Sequence, residues 1–187
     1  MKVNKVKIIQ IHGNGGGSGK DNWHPYVHRE LKKLKLKVLT PDFPDPVLAR
    51  EKYWLPFLRE ELKADKNTIL IGHSSGAIAA MRFTEKNQLL GSILVASYYT
   101  DLGDKEEKAS GYFDRPWQWD KIRKNQKWIV QFASIDDPYF PIKEPLFIHQ
   151  KLNSEYHQYL DKGHFGADKK KKKFPEIVAV IKNKLDL

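Results

Sequence analysis

Six short apolar runs, most of them stopped by a turn-forming residue, recur along the chain with stretches of helical periodicity between most of them. The runs are 6–11, 37–40, 68–71, 92–96, 128–132 and 156–160. The helix-patterned stretches are 23–34, 51–62, 75–84, 141–152 and 175–185. Strands with little polar alternation are buried on both faces, which calls for a mostly parallel sheet covered by helices on each side. With right-handed crossovers the pattern specifies a doubly wound α/β fold around a six-stranded sheet, in one domain over 1–187. In such sheets a ligand sits beyond the carboxyl ends of the strands, at a switch in strand order. The loops to inspect therefore follow Ile11, Ile71, Ala96, Phe132 and Leu160. The connection 97–127 is too long for a simple crossover and too short for an independent lid, so it is expected to fold over part of that end.

Composition removes several classes of function. With no cysteine in 187 residues there is no disulfide scaffold, no thiolate metal site and no cysteine nucleophile. No apolar run approaches the ~18 to 20 residues that span a bilayer, and the basic N-terminus is too broken by polar residues for a signal peptide. A soluble, cytoplasmic protein is expected. The 33 basic and 23 acidic residues give +10, which invites a nucleic-acid partner. Only six of the basic residues are arginine, and the lysines are interspersed with acids, so no nucleic-acid partner is expected. The lysine block 169–173 reads as the solvated approach to the final helix.

The glycine run 13–19 fails as a phosphate loop. A Walker A loop needs glycine at Asn14 and Ser or Thr at Asp21, and the G-x-G-x-x-G fingerprint is broken by Ser18 and Lys20. What remains is a strand-end loop of backbone N–H groups able to hold a developing oxyanion, with Asn14 and Gly15 as its donors. His12, just before it, reads as a structural hydrogen-bonder.

The loop after 68–71 is more specific. Gly72-His73-Ser74-Ser75-Gly76 fits the nucleophile elbow G-x-S-x-G, in which glycines let a serine occupy a strained strand-to-helix turn. At a helix N-terminus, the N–H of Ser75 can share the oxyanion. The competing role for Ser74 is a plain N-cap. An elbow serine demands an acid and then a histidine, each at the end of its own strand. The fifth strand runs into Asp136-Asp137 and the sixth into Asp161-Lys162-Gly163-His164. His149 and His157 fall inside a helix and a strand. Serine, aspartate and histidine in this order form a metal-independent, cofactor-free acyl-transfer site for a small ester or amide.

The segments HGNGGG, IGHSSGAIAAMRF, SGYFDRPWQWDKI, ASIDDPYFP and DKGHF together resemble the retinoblastoma-binding protein 9 family of small serine hydrolases, over almost the whole chain. The resemblance implies a minimal α/β-hydrolase without a large lid, with Ser74 as nucleophile, Asp137 rather than Asp136 as the acid, and His164 as base. The L-x-C-x-E element of family members that bind retinoblastoma protein cannot occur in a chain without cysteine, so that partner is not carried over. Of the aromatic residues in 97–127, Tyr98 and Trp117 are pocket candidates, with Phe165 beside the base as a further wall. For an amine-bearing substrate, Asp136, Asp101 and Asp114 are candidate anchors. A scaffold protein with incidental catalysis is the alternative.

Overall fold

The computed structural model describes residues 5–166 and 171–187. Of the lysine block, residues 169 and 170 lie outside the described residues. Lys171–Lys173 do lead into the last helix, and the Lys171 ammonium sits 4.3 Å from the centre of the Phe174 ring.

Six strands form one parallel sheet: β1 (Lys7–Ile11), β2 (Lys37–Leu39), β3 (Thr68–His73), β4 (Gly91–Val95), β5 (Ile129–Ser134) and β6 (Glu155–Tyr159), in the order β2-β1-β3-β4-β5-β6. Every residue of β3, β4 and β5 is buried, as expected of strands covered on both faces. The edge strand β6 is the polar sequence EYHQY, and Leu160, assigned to it by sequence pattern, lies outside it and is exposed. Two glutamines inside the sheet are satisfied. Gln10 donates to the His24 carbonyl and to Thr40, while Gln131 donates to Ser97 and Pro145 and accepts from Ser154.

The helices are α1 (His24–Lys33), α2 (Glu51–Pro56), α3 (Ser75–Thr84), α4 (Lys105–Ala109), α5 (Trp119–Lys124), α6 (Lys143–Leu152) and α7 (Pro175–Leu185). Helix α1 packs beside α7, while α2, α3, α5 and α6 contact one another in turn. This is the division that right-handed crossovers impose when the chain winds outward from β1 to β2 and then back through β3 to β6. The periodic stretch 51–62 is not one α-helix. After Pro56 it widens to a π-turn over Phe57–Glu61, closed by the Leu62 N–H on the Phe57 carbonyl. The connection 97–127 contains α4 and α5, neither foreseen from periodicity because each is under two turns long.

All ten residues of α3 are buried. Its alanines, Ala77, Ala79 and Ala80, let it lie close to the sheet, and its last turn carries a fully buried Arg82. No described helix is long and apolar enough to cross a membrane.

Candidate active site

The strand order reverses between β1 and β3, and their carboxyl-end loops meet there. A Cβ added to Gly13 would touch the Ser74 Cβ at 3.3 Å. A cavity of about 660 Å³ opens at this point, bordered by Gly13, Asn14, Gly15, Ser74, Tyr98, Tyr139, Phe140 and His164 among others.

Ser74 has φ 56° and ψ −124°, a backbone conformation that L-residues avoid. Its side chain makes no capping bond to α3, so the N-cap role is not realised. The glycines explain how the turn is tolerated. A side chain at Gly72 would run into the Gly76 carbonyl, and one at Gly76 into the carbonyls of Ile11 and His12. The second collision is with the end of β1 and the residue after it rather than across the elbow, so Gly76 also sets how closely α3 approaches the sheet.

The structure brings Asp137 and His164 together. The His164 Nδ1–H donates to Asp137 Oδ2 at 2.8 Å, and the carboxylate, 1% exposed, also accepts the Tyr139 N–H. This bond fixes the proton on Nδ1 and leaves Nε2 as the basic ring atom. Ser74 Oγ and His164 border the same cavity with no hydrogen bond between them, a contact that commonly tightens only when substrate binds. The loop that carries His164 is anchored from two sides. The His73 Nε2–H donates to the His164 carbonyl at 2.7 Å. Asp136 Oδ1 accepts from Ser134 Oγ and from the Gly163 N–H, both at 2.7 Å. Asp136 is thus a turn clamp, and Asp137 is the one on the imidazole.

The oxyanion candidates separate. Gly15 borders the cavity, but its N–H donates to the Val47 carbonyl at 2.9 Å, which corrects its assignment as a donor. The Ser75 N–H opens α3 with no preceding turn to accept it, and the Asn14 N–H has no acceptor among the described residues. His12 is structural. Its Nε2 accepts the Phe43 N–H, so Nδ1 carries the proton and donates to the Gly13 carbonyl, and burial lowers its pKa.

Of the pocket candidates only Tyr98 borders the cavity. Trp117 is corrected: it stacks over the Arg82 guanidinium at 3.6 Å and donates to the Tyr99 carbonyl. Phe165 is corrected too, fully buried against Phe174 with rings 5.4 Å apart. The walls around the imidazole are instead Tyr139 and Phe140, edge-on at 4.6 and 5.5 Å. Their place two and three residues after Asp137 was the available signal. His149 and His157 lie in α6 and β6, away from the site. None of the three proposed amine anchors borders the cavity. Asp136 is the clamp described above, Asp101 accepts the Gly103 N–H, and Asp114 lines a separate groove. The cavity's acids are Asp21, Asp104, Glu106 and Glu107, the last two on α4. No sequence motif marked Glu107.

Comparison with known proteins agrees with this architecture. The serine hydrolase family profile matches residues 8–183. Serine hydrolase RBBP9 of Rattus norvegicus is 45% identical over 182 residues, covering 96% of both chains. Among solved structures, the ydeN gene product of B. subtilis superposes with a TM-score of 0.88 at 24% identity, over 97% of this chain and 100% of that one. Est1E from Butyrivibrio proteoclasticus, solved with ferulic acid bound, has a TM-score of 0.74 at 13% identity over 95% and 87%. At these identities the two structures establish the fold alone. A profile match from within β1 to within α7, joined to near-half identity along a full-length relative, makes this chain a member of the RBBP9 family of small serine hydrolases.

Proposed function

We propose that the chain cleaves small ester or amide bonds through an acyl-enzyme on Ser74. Ser74 Oγ attacks the acyl carbon while His164 Nε2 takes its proton, and Asp137 holds the imidazole and stabilises its charged form. The carbonyl oxygen, now anionic, accepts from the N–H groups of Asn14 and Ser75, each worth about 3 kcal/mol. Collapse of the tetrahedral adduct expels the leaving group with the proton from His164. Water, activated by the same imidazole, then releases the acid. The observation that carries this reading is the strained Ser74 turn opening onto the same cavity as an imidazole bonded to a buried aspartate.

The acyl group is best supported as neutral or amine-bearing. On a chain of net charge +10, the cavity nevertheless gathers four carboxylates, which would repel an anionic acyl chain. An aminopeptidase-like or aminoacyl-esterase activity is therefore the second reading, favoured by that acidic wall.

A fluorophosphonate probe tests the nucleophile. Wild type is expected to label, while Ser74→Ala and His164→Ala, checked for folding by circular dichroism, are expected to be silent. Equal labelling of folded Ser74→Ala would sink the assignment. A series of p-nitrophenyl esters then tests the acyl group, with kcat/KM expected to fall at least about tenfold from a neutral to a carboxylate-bearing chain.

A further inference from the structure

A continuous set of hydrogen bonds connects the two candidate oxyanion residues through one carboxylate. Glu107 Oε1 accepts from Asn14 Nδ2 at 2.8 Å, and Glu107 Oε2 accepts from the Tyr98 hydroxyl at 2.7 Å. The Tyr98 oxygen lies 3.2 Å from Ser75 Oγ. Tyr98 has one proton and gives it to the carboxylate, so the Ser75 hydroxyl donates to Tyr98. Asn14 stands in the loop after β1, Ser75 begins α3 after β3, and Glu107 comes from a third segment, α4. These are the same two residues whose backbone N–H groups are left for the oxyanion.

The arrangement suits a positioning task. An oxyanion hole works only if its donors are held where the charge will appear, without reorganising during the reaction. Ser75 is fixed by the helix it begins, but Asn14 stands in a loop rich in glycine, whose backbone has little preference of its own. A carboxylate is the one side chain able to accept from both Tyr98 and the Asn14 amide with no donor of its own in the way. Burial raises its pKa, so holding it charged beside the cavity costs stability, which a purely structural clamp would not need.

We infer that Glu107 is a positioning residue that sets Asn14 against Ser75 across the oxyanion hole. The inference rests on the reading of Ser74 as nucleophile, so the test begins with purified wild type and the fluorophosphonate probe. Labelling that is lost in Ser74→Ala establishes the nucleophile. Failure of wild type to label would overturn both readings together.

With labelling in hand, hydrolysis of p-nitrophenyl acetate is compared among wild type, Glu107→Ala, Glu107→Gln and Tyr98→Phe. For Glu107→Ala, kcat is expected to fall about ten- to a hundredfold with KM within about twofold, short of the 10²–10³ for removing a donor outright. Glu107→Gln is expected to recover part of the loss, its one carbonyl accepting from Tyr98 while the Asn14 amide turns to meet its NH₂. Tyr98→Phe keeps the ring and the Glu107–Asn14 bond, and is expected to lose less than Glu107→Ala. Tyr98→Phe also carries the test should Glu107→Ala not fold. The inference is overturned if folded Glu107→Ala keeps kcat within about twofold of wild type, or if kcat and KM deteriorate together with a lowered Tm in both the Ala and Gln variants.

Discussion

Two stretches border the cavity and are built by opposite means. The elbow, residues 72–76, is fixed by backbone pressed against backbone: at Gly72 and Gly76 there is no room for a methyl group, and Ser74 is left in a strained conformation. The connection 97–127 is held by side chains that reach it from elsewhere. Arg82 on α3 donates to the carbonyls of Tyr112, Arg115 and Pro116, pairs with Glu85 at 2.6 Å, and stacks under Trp117. Glu144 on α6 accepts from the N–H groups of Tyr99 and Thr100 and from the Thr100 hydroxyl. Arg115 reaches Glu51 on α2 with two bonds at 2.6 Å. The first region asks for glycine at two of five adjacent positions. The second depends on partners tens of residues away.

A single methyl group in each region has the largest expected contrast. Gly76→Ala sets its Cβ against the carbonyls of Ile11, the last residue of β1, and of His12 just after it, and neither is the far end of a flexible side chain that could swing aside. The expected outcome is loss of soluble, cooperatively folding protein, beyond the 4–5 kcal/mol that marks exceptional substitutions. Gly103→Ala, in the connection, meets nothing within 4 Å and strains only a φ of 73°, so it is expected to cost about 1–2 kcal/mol. Comparable urea midpoints for the two variants would contradict the backbone-contact account of the elbow.

Next in size is the anchor of the connection. Arg82→Met leaves Glu85 buried and three carbonyls without their donor, and is expected to cost about 3–5 kcal/mol, a fall in Tm on the order of 10 °C. The double variant Arg82→Met, Glu85→Leu is expected to regain part of that loss, because the stranded carboxylate goes with its partner. If the double variant is as unstable as the sum of the single variants, the pair is not the anchor. Because Glu107 rides on the same connection, kcat is expected to fall in Arg82→Met as well.

This division also explains what could be read from the chain. The parallel sheet, the strained serine turn and the meeting of an aspartate with a strand-end histidine were legible because each is written in adjacent residues: an apolar run, a glycine pair, a motif at a strand end. Choosing Asp137 over Asp136 needed the family resemblance, since the two differ only in which side of the turn they face. The connection was opaque. Its helices are too short for periodicity, and Trp117 reads as a pocket wall until Arg82 is seen beneath it. Gly15 was misjudged for a related reason. Its N–H is taken by Val47, a partner 32 residues away that no local pattern announces. Glu107 is invisible in the same way, one acid among several in KEEKA until its bonds to Tyr98 and Asn14 are drawn.

A buried group packed behind the elbow and one on the connection also answer acid with opposite signs, the smallest of these effects. Behind the elbow, His24 is fully buried beside His73, with ring centres 6.3 Å apart, and burial, with smaller contributions from His73 and His12, holds its pKa well below 6.5. The unfolded chain therefore takes up a proton as pH falls through about 6.5 while the folded protein does not, so the stability present above that pH is progressively lost. Glu107 behaves conversely. Its folded pKa lies above 4.5, so the folded protein takes up that proton first and acid relieves the cost of its buried charge. Urea unfolding between pH 8 and 5.5 is expected to show a midpoint that declines toward acid, with a limiting slope of about 1.4 kcal/mol per pH unit for each such histidine. His24→Gln is expected to start lower at pH 8 and decline less, while Glu107→Ala departs from wild type only when the titration is carried on toward pH 4.5, where it declines more steeply because the opposing contribution is gone. Parallel pH profiles for all three proteins would mean that neither buried group carries the dependence and that the acid response lies outside both regions.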